Sequence, residues 1–553
     1  MSPAELLITQ IKAAIAAAIA NGELIGEVPN EIRLERPKNR DHGDFATSVA
    51  LQLAKAAGAP PRKIAEVLAA KLNALPEIAK VDIAGPGFIN LTLGKASQGS
   101  VIATILAQRD SYGHGTSLNG VSINLEFISA NPTGPLHLGH TRWAAVGDAI
   151  ARVLEASGAT VAREFYINDR GVQMDKFGAS LMAAATGQPI PEDGYHGEYV
   201  KELAQVILRE QPDILSLPAD AQHIEFREAG YKLQLAQQQQ VLDTFNTHFD
   251  VWYSERTLHD SGAVELAFKQ LEALGHMYDA DGAVWLRTTD FDDDKDRVLQ
   301  KSDGELTYFA SDTAYYVDKR NRGFDVCIYL LGADHHGYVN RLRAIASCAG
   351  DDPNFNIEIL IGQMVKMMKG GEEVRLSKRA GNIITLEDLV DEVGVDAARY
   401  QLIRYPADSP LVLDLDLLAK RTNDNPVFSV QYAHARISSV LRNAADLGID
   451  WRNADFDASQ LVHEKELELL GALGEFSRTI ATAAELREPH RVARYLEELG
   501  ATYHRFYDNC RVLPRGDEPL EPVHIARLWL CAATRQVVAN GLTLCGVSAP
   551  ERM

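Results

Sequence analysis

The stretch Ser129-Ala130-Asn131-Pro132-Thr133-Gly134-Pro135-Leu136-His137-Leu138-Gly139-His140 constrains this chain more than any other. Before it, Val121, Ile123, Leu125 and Phe127 alternate as in a strand with one face in a core. After it, Leu138, Ala145, Val146, Ala149, Ile150, Val153 and Leu154 recur at helical spacing, and Gly158 suits a C-cap. Two prolines and a glycine between the two patterns forbid regular structure there. The reading is strand, tight loop, helix, with His137 and His140 in the first helical turn. A helix start points unpaired N–H groups and the positive dipole end outwards, which suits a polyphosphate. Two imidazoles on one face can donate hydrogen bonds to phosphate oxygens as charge builds, and Gly139 leaves room for a flat ring or a backbone. The glycines spell neither the Walker nor the dinucleotide fingerprint. The same histidines could equally be plain caps.

At 553 residues the chain should hold several domains. Its formal charge of −21 excludes a generic nucleic-acid coat, so any RNA contact must come from local basic patches. Cys327, Cys348, Cys510, Cys531 and Cys545 form no C-x-x-C pair, which argues against zinc and disulfides and suits a reducing, cytoplasmic setting. The alanine-rich N-terminus carries Ile11, Ile15 and Ile19 on one face and is broken by Glu5 and Lys12; it reads as an amphipathic helix, not a leader. No run reaches the ~20 apolar residues of a membrane span.

Three regions follow from the patterns. Residues 1–112 read as a small α+β module, with helices near 4–20, 46–57, 61–74 and 95–109 around strands at 81–83 and 88–93. Residues 113–424 alternate strand and helix, the mark of a multidomain α/β protein with a Rossmann-like parallel sheet; about 180–270 reads as mostly helical and about 380–424 as a connecting segment. Residues 425–553 read as an all-α bundle, with helices near 426–446, 461–486, 489–511 and 522–541.

Several stretches remain open on pattern alone. The basic run 33–40 before Asp41-His42-Gly43-Asp44-Phe45 reads as a solvated loop or an RNA grip. Asn168 to Gln173 follows a strand, where doubly wound sheets bind ligands. Gln237-Gln238-Gln239-Gln240 reads as a solvated helix face, and the acidic stretch 290–296 as a solvated loop lacking the spacing of a calcium site. Asp312 reads as an N-cap or as the carboxylate a guanidinium needs. Asp334-His335-His336 could be metal ligands or part of a ligand crevice. In 369–382, a glycine pair precedes Arg375-Leu376-Ser377-Lys378-Arg379, a solvated turn or a cation loop beside a polyphosphate.

The 131–140 stretch resembles the His-Ile-Gly-His signature of class I aminoacyl-tRNA synthetases, and its long lead-in resembles the arginyl-tRNA synthetase version. Arg375 to Lys378 resembles the second class I signature loop, with Arg375 for the first lysine and Leu376 for methionine. The resemblance implies ATP contacts at Asn131, Pro132, Thr133, Gly134, Pro135, His137, Gly139, His140, Arg375, Ser377 and Lys378, with His137, His140 and Lys378 as the catalytic set. It implies arginine contacts at Glu126, Asn131, Tyr308, Asp312 and His336; Glu126 also lies opposite in parity to the strand's apolar set. It implies that Arg36, Lys38, Arg40 and Phe45 grip the tRNA corner, and that Tyr432 and Arg436 open an anticodon-binding bundle. The implied activity is ligation of L-arginine to tRNA-Arg with ATP and Mg2+, by a monomer without zinc or membrane contact. The rivals are a cysteine or glutamine synthetase, a small-molecule nucleotidyltransferase with the same signature, and a tRNA-binding paralogue without activity.

Overall fold

The computed structural model describes residues 3–35, 37, 42–374 and 384–553, the side chains of 3–5 and 95–98 excepted. In the first region, α1 (Pro3–Ala20), α2 (Val49–Ala57) and α3 (Pro61–Leu72) pack on an antiparallel sheet. Its strands are β1 (Leu34–Glu35), β2 (Phe45–Thr47), β3 (Ile78–Ala84) and β4 (Phe88–Leu93), in the order β1-β2-β4-β3. Two strands expected from sequence are thus four; Phe45–Thr47, placed partly in a helix, pairs with β4. Gly43 explains the entry to β2. It sits at φ +84°, and a Cβ there would lie 2.6 Å from the Leu91 carbonyl oxygen. Leu7, Ile11, Ile15, Ile64, Leu68, Ile89 and Leu91 form a core of this region's own.

Helix α4 (Lys95–Gln108), which pattern alone grouped with that module, buries Val101, Ile102 and Ile105 in a different, larger core. That core continues through the central sheet. The sheet is made of β5 (Ser122–Glu126), β6 (Thr160–Ile167), β7 (Val251–Ser254), β11 (Val326–Gly332) and β12 (Ile357–Gly362), all parallel, in the order β12-β11-β5-β6-β7. The chain winds outwards from β5 in one direction and from β11 in the other. The carboxyl ends of β5 and β11 therefore flank the topological switch point, where such sheets bind ligands. Helix α5 (Leu138–Ala156) follows β5 and is buried along most of its length.

Helices α6 (Val172–Thr186), α7 (Glu198–Glu210) and α8 (Ala219–Thr244) form the insertion. The expected mostly helical stretch also holds β7, an edge strand of the main sheet. After α9 (Glu255–Asp260) and α10 (Ala263–Ala273) come β8 (Met277–Ala280), β9 (Ala283–Leu286) and β10 (Arg297–Gln300), an antiparallel sheet with a hairpin at Asp281-Gly282. The acidic stretch before β10 is not simply solvated. Asp293 pairs with Arg297 at 2.7 Å, and Asp296 accepts from Tyr278 and Thr289.

Helices α11 (Tyr308–Asn321) and α12 (Val339–Cys348) flank β11. A small sheet of β13 (Val365–Lys369), β14 (Glu372–Glu373) and β15 (Leu411–Asp414), with α13 (Leu386–Val393), α14 (Val395–Ile403) and α15 (Leu415–Leu418), leads to the bundle. The bundle is α16 (Pro426–Asp446), α17 (Glu464–Gly474), α18 (Phe476–Leu486), α19 (His490–Asn509) and α20 (Pro522–Leu544). The single helix expected over 461–486 is two, broken at Gly474-Glu475, where glycine is a poor helix former. Arg399 is wholly buried where the parts meet. It pairs with Asp148 of α5 at 2.5 Å and donates to the carbonyls of Phe245, Asn246 and Cys545.

Candidate active site

The strand-to-helix connection after β5 is strained. Ile128 and Ser129 sit at φ +69° and +42°, and a β-branched residue is costly there. Ser129 holds the turn: its hydroxyl donates to Glu126 Oε1 at 2.9 Å and accepts from the Tyr166 N–H at 3.1 Å. Asn131 is exposed, Pro132 and Thr133 are buried, and the chain reaches α5 at His137.

His137 is the N-cap of α5 rather than a residue of its first turn. Its Nδ1 accepts the Gly139 N–H at 3.1 Å, and Nδ1 of His140 accepts the His137 N–H at 3.3 Å. The two rings lie 4.0 Å apart between centroids. With both Nδ1 atoms accepting, the neutral rings carry their protons on Nε2. An imidazole in that tautomer presents an N–H donor away from the helix, as a phosphate oxygen requires. Capping and phosphate binding are therefore compatible roles. Gly139 is needed for the fold-back of His137, since a Cβ would lie 2.9 Å from the His137 Cε1.

Arg375, Ser377 and Lys378 lie outside the described residues, as do Arg36, Lys38 and Arg40. The segment after 375–383 is nonetheless tied to the first signature. Leu138 N–H donates to the Ile384 carbonyl at 3.2 Å, and Leu386 N–H to the Leu136 carbonyl at 2.8 Å. Thr385 then caps α13.

Across the switch point lies a cluster of carboxylates. Glu126 ends β5 and is nearly buried; its Oε2 meets Lys319 Nζ at 2.5 Å. Lys319 is wholly buried, its ammonium 3.9 Å from the Tyr329 ring centroid and 4.3 Å from that of Tyr315. The polar face of β5 is thus buried against α11. Glu164 on β6 accepts two hydrogen bonds from Arg322, at 2.6 and 2.9 Å, and others from Asn124 and Tyr315.

Asp312 differs from these pairs. It does not cap α11; Thr307 does. Its Oδ2 accepts from the Tyr338 hydroxyl at 2.8 Å. Burial pushes its pKa up to about 6 against the pull of that hydrogen bond, with Glu126 adding to the rise. Glu255, at the start of α9, is also raised, first by burial, with Asp169 and Asp312 contributing and Arg170 opposing. Among the described residues, Glu126 and Glu164 have close cationic partners. Asp312 is hydrogen-bonded to a phenol and feels His335 only weakly. Glu255 lies 3.8 Å from His259, with Ser311 and the more distant Arg170 also acting on it. Neither carboxylate is in a salt bridge with a described Lys or Arg. Two carboxylates in a partly desolvated crevice are short of positive charge, which is an electrostatic invitation to a cationic ligand. Tyr308 stands 76% exposed one turn before Asp312, at the mouth. His336 is exposed on the short turn Ala333–Tyr338, and among the described residues no hydrogen bond or ion pair joins it to the cluster. Asp169, from the open stretch after β6, is buried and accepts from Ser254 at 2.6 Å, so it fastens β6 to β7.

Sequence reading missed Glu255, Tyr338 and Lys319. For Glu255 the available signal was a carboxylate directly after the strand-like Val251-Trp252-Tyr253. Lys319 had none, because a lone lysine on a helix reads as solvated.

On the bundle, Tyr432 is partly exposed, and its ring stacks on Phe428 at 6.2 Å and tilts on His504 at 6.0 Å. The Arg436 guanidinium lies 4.2 Å from the Tyr507 ring centroid and bonds to His504. These side chains make one cation-and-ring surface on α16 and α19. Tyr495 and Tyr503, nearby on α19, are core residues. Phe45 is a further correction. It is 3% exposed and packs in the N-terminal core, where it cannot stack a base.

The comparisons agree on one family. Residues 101–420 match the model of the class I (R) tRNA synthetase catalytic domain. Residues 6–93 match the arginyl tRNA synthetase N-terminal domain, and 430–553 the DALR anticodon binding domain. A protein from Frankia alni named arginine–tRNA ligase is 58% identical over the whole of both chains. Among solved structures, a putative arginyl-tRNA synthetase from Campylobacter jejuni covers 83% of this chain and 100% of its own, at TM-score 0.76 and 31% identity. The arginyl-tRNA synthetase of Thermus thermophilus shares the fold over 98% of this chain and 99% of its own, at TM-score 0.74 and 22% identity. With the signature helix and the carboxylate cluster meeting at the switch point, these matches place the chain in the arginyl-tRNA synthetase family of class I.

Proposed function

We propose that this chain ligates L-arginine to tRNA-Arg at the expense of ATP. The observation that carries the reading is the meeting, at the carboxyl ends of β5 and its neighbours, of a histidine-capped helix start with two carboxylates that, among the described residues, form no salt bridge with Lys or Arg and whose charge burial disfavours. The helix start is built for phosphates and the carboxylates for a guanidinium. Planar, bidentate pairing of a guanidinium with Asp312 or Glu255 selects arginine over lysine. Tyr308 covers this end, and Glu126 and Asn131 mark the end where the substrate's amino group belongs.

The arginine carboxylate attacks the α-phosphate of ATP, forming arginyl-adenylate and releasing pyrophosphate. A ribose hydroxyl at the tRNA 3′ end then attacks the arginyl carbonyl, and AMP leaves. No protein nucleophile takes part; the chain orients the reactants and stabilises developing charge. His137 and His140 donate from Nε2 to ATP phosphates, and Lys378 meets the departing pyrophosphate. Among the described residues no three His, Cys, Asp or Glu side chains group as a metal site. Magnesium bound with the nucleotide would lower the charge on its phosphates. Arg436, Tyr432 and their ring neighbours receive unstacked tRNA bases. The five cysteines are free and buried, which suits work in the cytoplasm, and the working unit is the monomer.

The test is pyrophosphate exchange into ATP with each of the twenty amino acids, with and without bulk tRNA. Exchange with arginine alone supports the reading. Exchange with another amino acid keeps the class and discards the roles of Tyr308 and Asp312. Absence of exchange from folded protein that binds tRNA supports the paralogue without activity.

A further inference from the structure

The Gln237–Gln240 run was expected to be a solvated helix face, but Gln238 is 1% exposed. Its side-chain amide donates to two carbonyls of the signature loop, Asn131 at 3.1 Å and Gly134 at 2.8 Å. From α7, the Tyr199 hydroxyl donates to the carbonyl between them, that of Thr133, at 3.1 Å. Two side chains of the insertion thus take three of the four carbonyls of 131–134. The loop cannot easily hold itself, because Pro132 and Pro135 bring no N–H and the turn is too irregular for ladder bonds.

We infer that Gln238 and Tyr199 are positioning residues for adenylate formation, and that the helical insertion acts as the clamp that sets the nucleotide loop. The inference rests on the reading of 131–140 as the ATP site. Two further observations support a positioning role over plain stabilisation. Gln238 Oε1 is buried with no hydrogen-bond partner among the described residues, a cost that an apolar residue at this position would avoid. In addition, the chain just beyond α8 is fastened to the signature helix itself, where the Thr247 hydroxyl donates to the Ala144 carbonyl at 2.9 Å. The C-terminal part of α8 is therefore held to the same unit at two points. The amide of Gln238 sets where the loop stands relative to α5 and the imidazoles at its start. A loop displaced by about 1 Å misplaces the phosphates, which is enough to cost about a hundredfold in rate.

The experiment is pyrophosphate exchange by the full-length protein with arginine and bulk tRNA present. The variants are Gln238→Met, Tyr199→Phe, Gln238→Glu and His140→Ala, with Gln222→Met as a change of the same kind elsewhere on α8. Gln222 donates to the Leu215 and Leu217 carbonyls, away from the loop. Gln238→Met and Tyr199→Phe are expected to lower kcat about tenfold to a hundredfold, with little change in KM for ATP and a melting point well above the assay temperature. Gln238→Glu, which can donate only when protonated, should regain activity relative to the parent as pH falls from about 8 to about 6. Gln222→Met should keep the parent kcat. If His140→Ala exchanges normally, the nucleotide reading fails and the inference goes with it. If His140→Ala is dead while Gln238→Met and Tyr199→Phe keep the parent kcat, the clamp alone is overturned. Equal losses in Gln222→Met overturn it too, because the effect is then one of general destabilisation.

Discussion

The ammonium of Lys319 lies 2.5 Å from Oε2 of Glu126, across the seam between β5 and α11, with no water-exposed surface on the lysine. Removing one partner leaves a buried charge uncompensated, which costs about 3–5 kcal/mol. Lys319→Met is expected to lose stability in that range by urea unfolding and to raise KM for arginine as Glu126 moves. Lys319→Met with Glu126→Gln should recover most of the stability and none of the activity. Full recovery of activity in the double variant would remove Glu126 from the site.

Asp312 sets a pH dependence. Its folded pKa of about 6 is above the ordinary carboxylate value of 3.8, so between these two values the native state holds a proton that the unfolded chain has released. Stability from this group is therefore lost as pH rises through the window, and at pH 7 the charge costs on the order of 3 kcal/mol. Asp312→Asn is expected to melt higher than the parent at pH 7, with the gain vanishing below about pH 4. The same variant should lose arginine-dependent exchange. In the parent, KM for arginine should fall as pH rises through about 6, when the carboxylate that pairs the guanidinium forms. A flat arginine KM across that range would assign the pairing elsewhere.

His140→Ala removes both a phosphate donor and half of the capping box at α5. The cap is worth about 1 kcal/mol, whereas a lost donor to a developing charge costs about 10²–10³ in rate. The expected outcome is a small drop in melting point, a large drop in kcat for exchange, and tRNA affinity near the parent's by filter binding. Gly139→Ala should act in the same direction more weakly, because its Cβ pushes the His137 ring out of the cap.

Two substitutions separate RNA contact from packing. Arg436→Ala should weaken tRNA binding about tenfold while leaving the melting point within a few degrees, since stacked rings and cations are worth about 1–3 kcal/mol per base. Phe45→Ala should do the reverse, costing about 3–5 kcal/mol of stability in the N-terminal region. An intact melting point for Phe45→Ala with a loss of tRNA affinity would reinstate the base-stacking reading.

Much of the frame was legible from local pattern. The strand, loop and helix around 121–158, the βα alternation and the long bundle helices all carry periodicity that survives in a single segment. The short strands β1, β2 and β7 were harder, because two to four residues give no period to count. Site residues divided on the same ground. His137, His140 and Asp312 sit beside local signals, a helix start or a strand end. Gln238, Tyr199, Tyr338 and Lys319 acquire meaning only from partners far along the chain. A buried glutamine and a solvated one look alike in sequence, and so the run at 237–240 was misread. Phe45 failed for the converse reason: its basic neighbours suggested a surface, while the pairing of β2 with β4 turned the ring inwards.

The largest core runs without interruption from α4 through the central sheet and α5 into the bundle, and buried Arg399 ties α5, the chain after α8 and the end of α20 to one another. The N-terminal region keeps a core to itself. On heating, the chain should therefore come apart in two calorimetric steps: a small one for the first ninety or so residues and a single large one for everything else. A genetic cut before α4 leaves both pieces with an interior. A cut ahead of the bundle would strip the sheet of its packing partner, so the catalytic region has no independent life as an excised fragment.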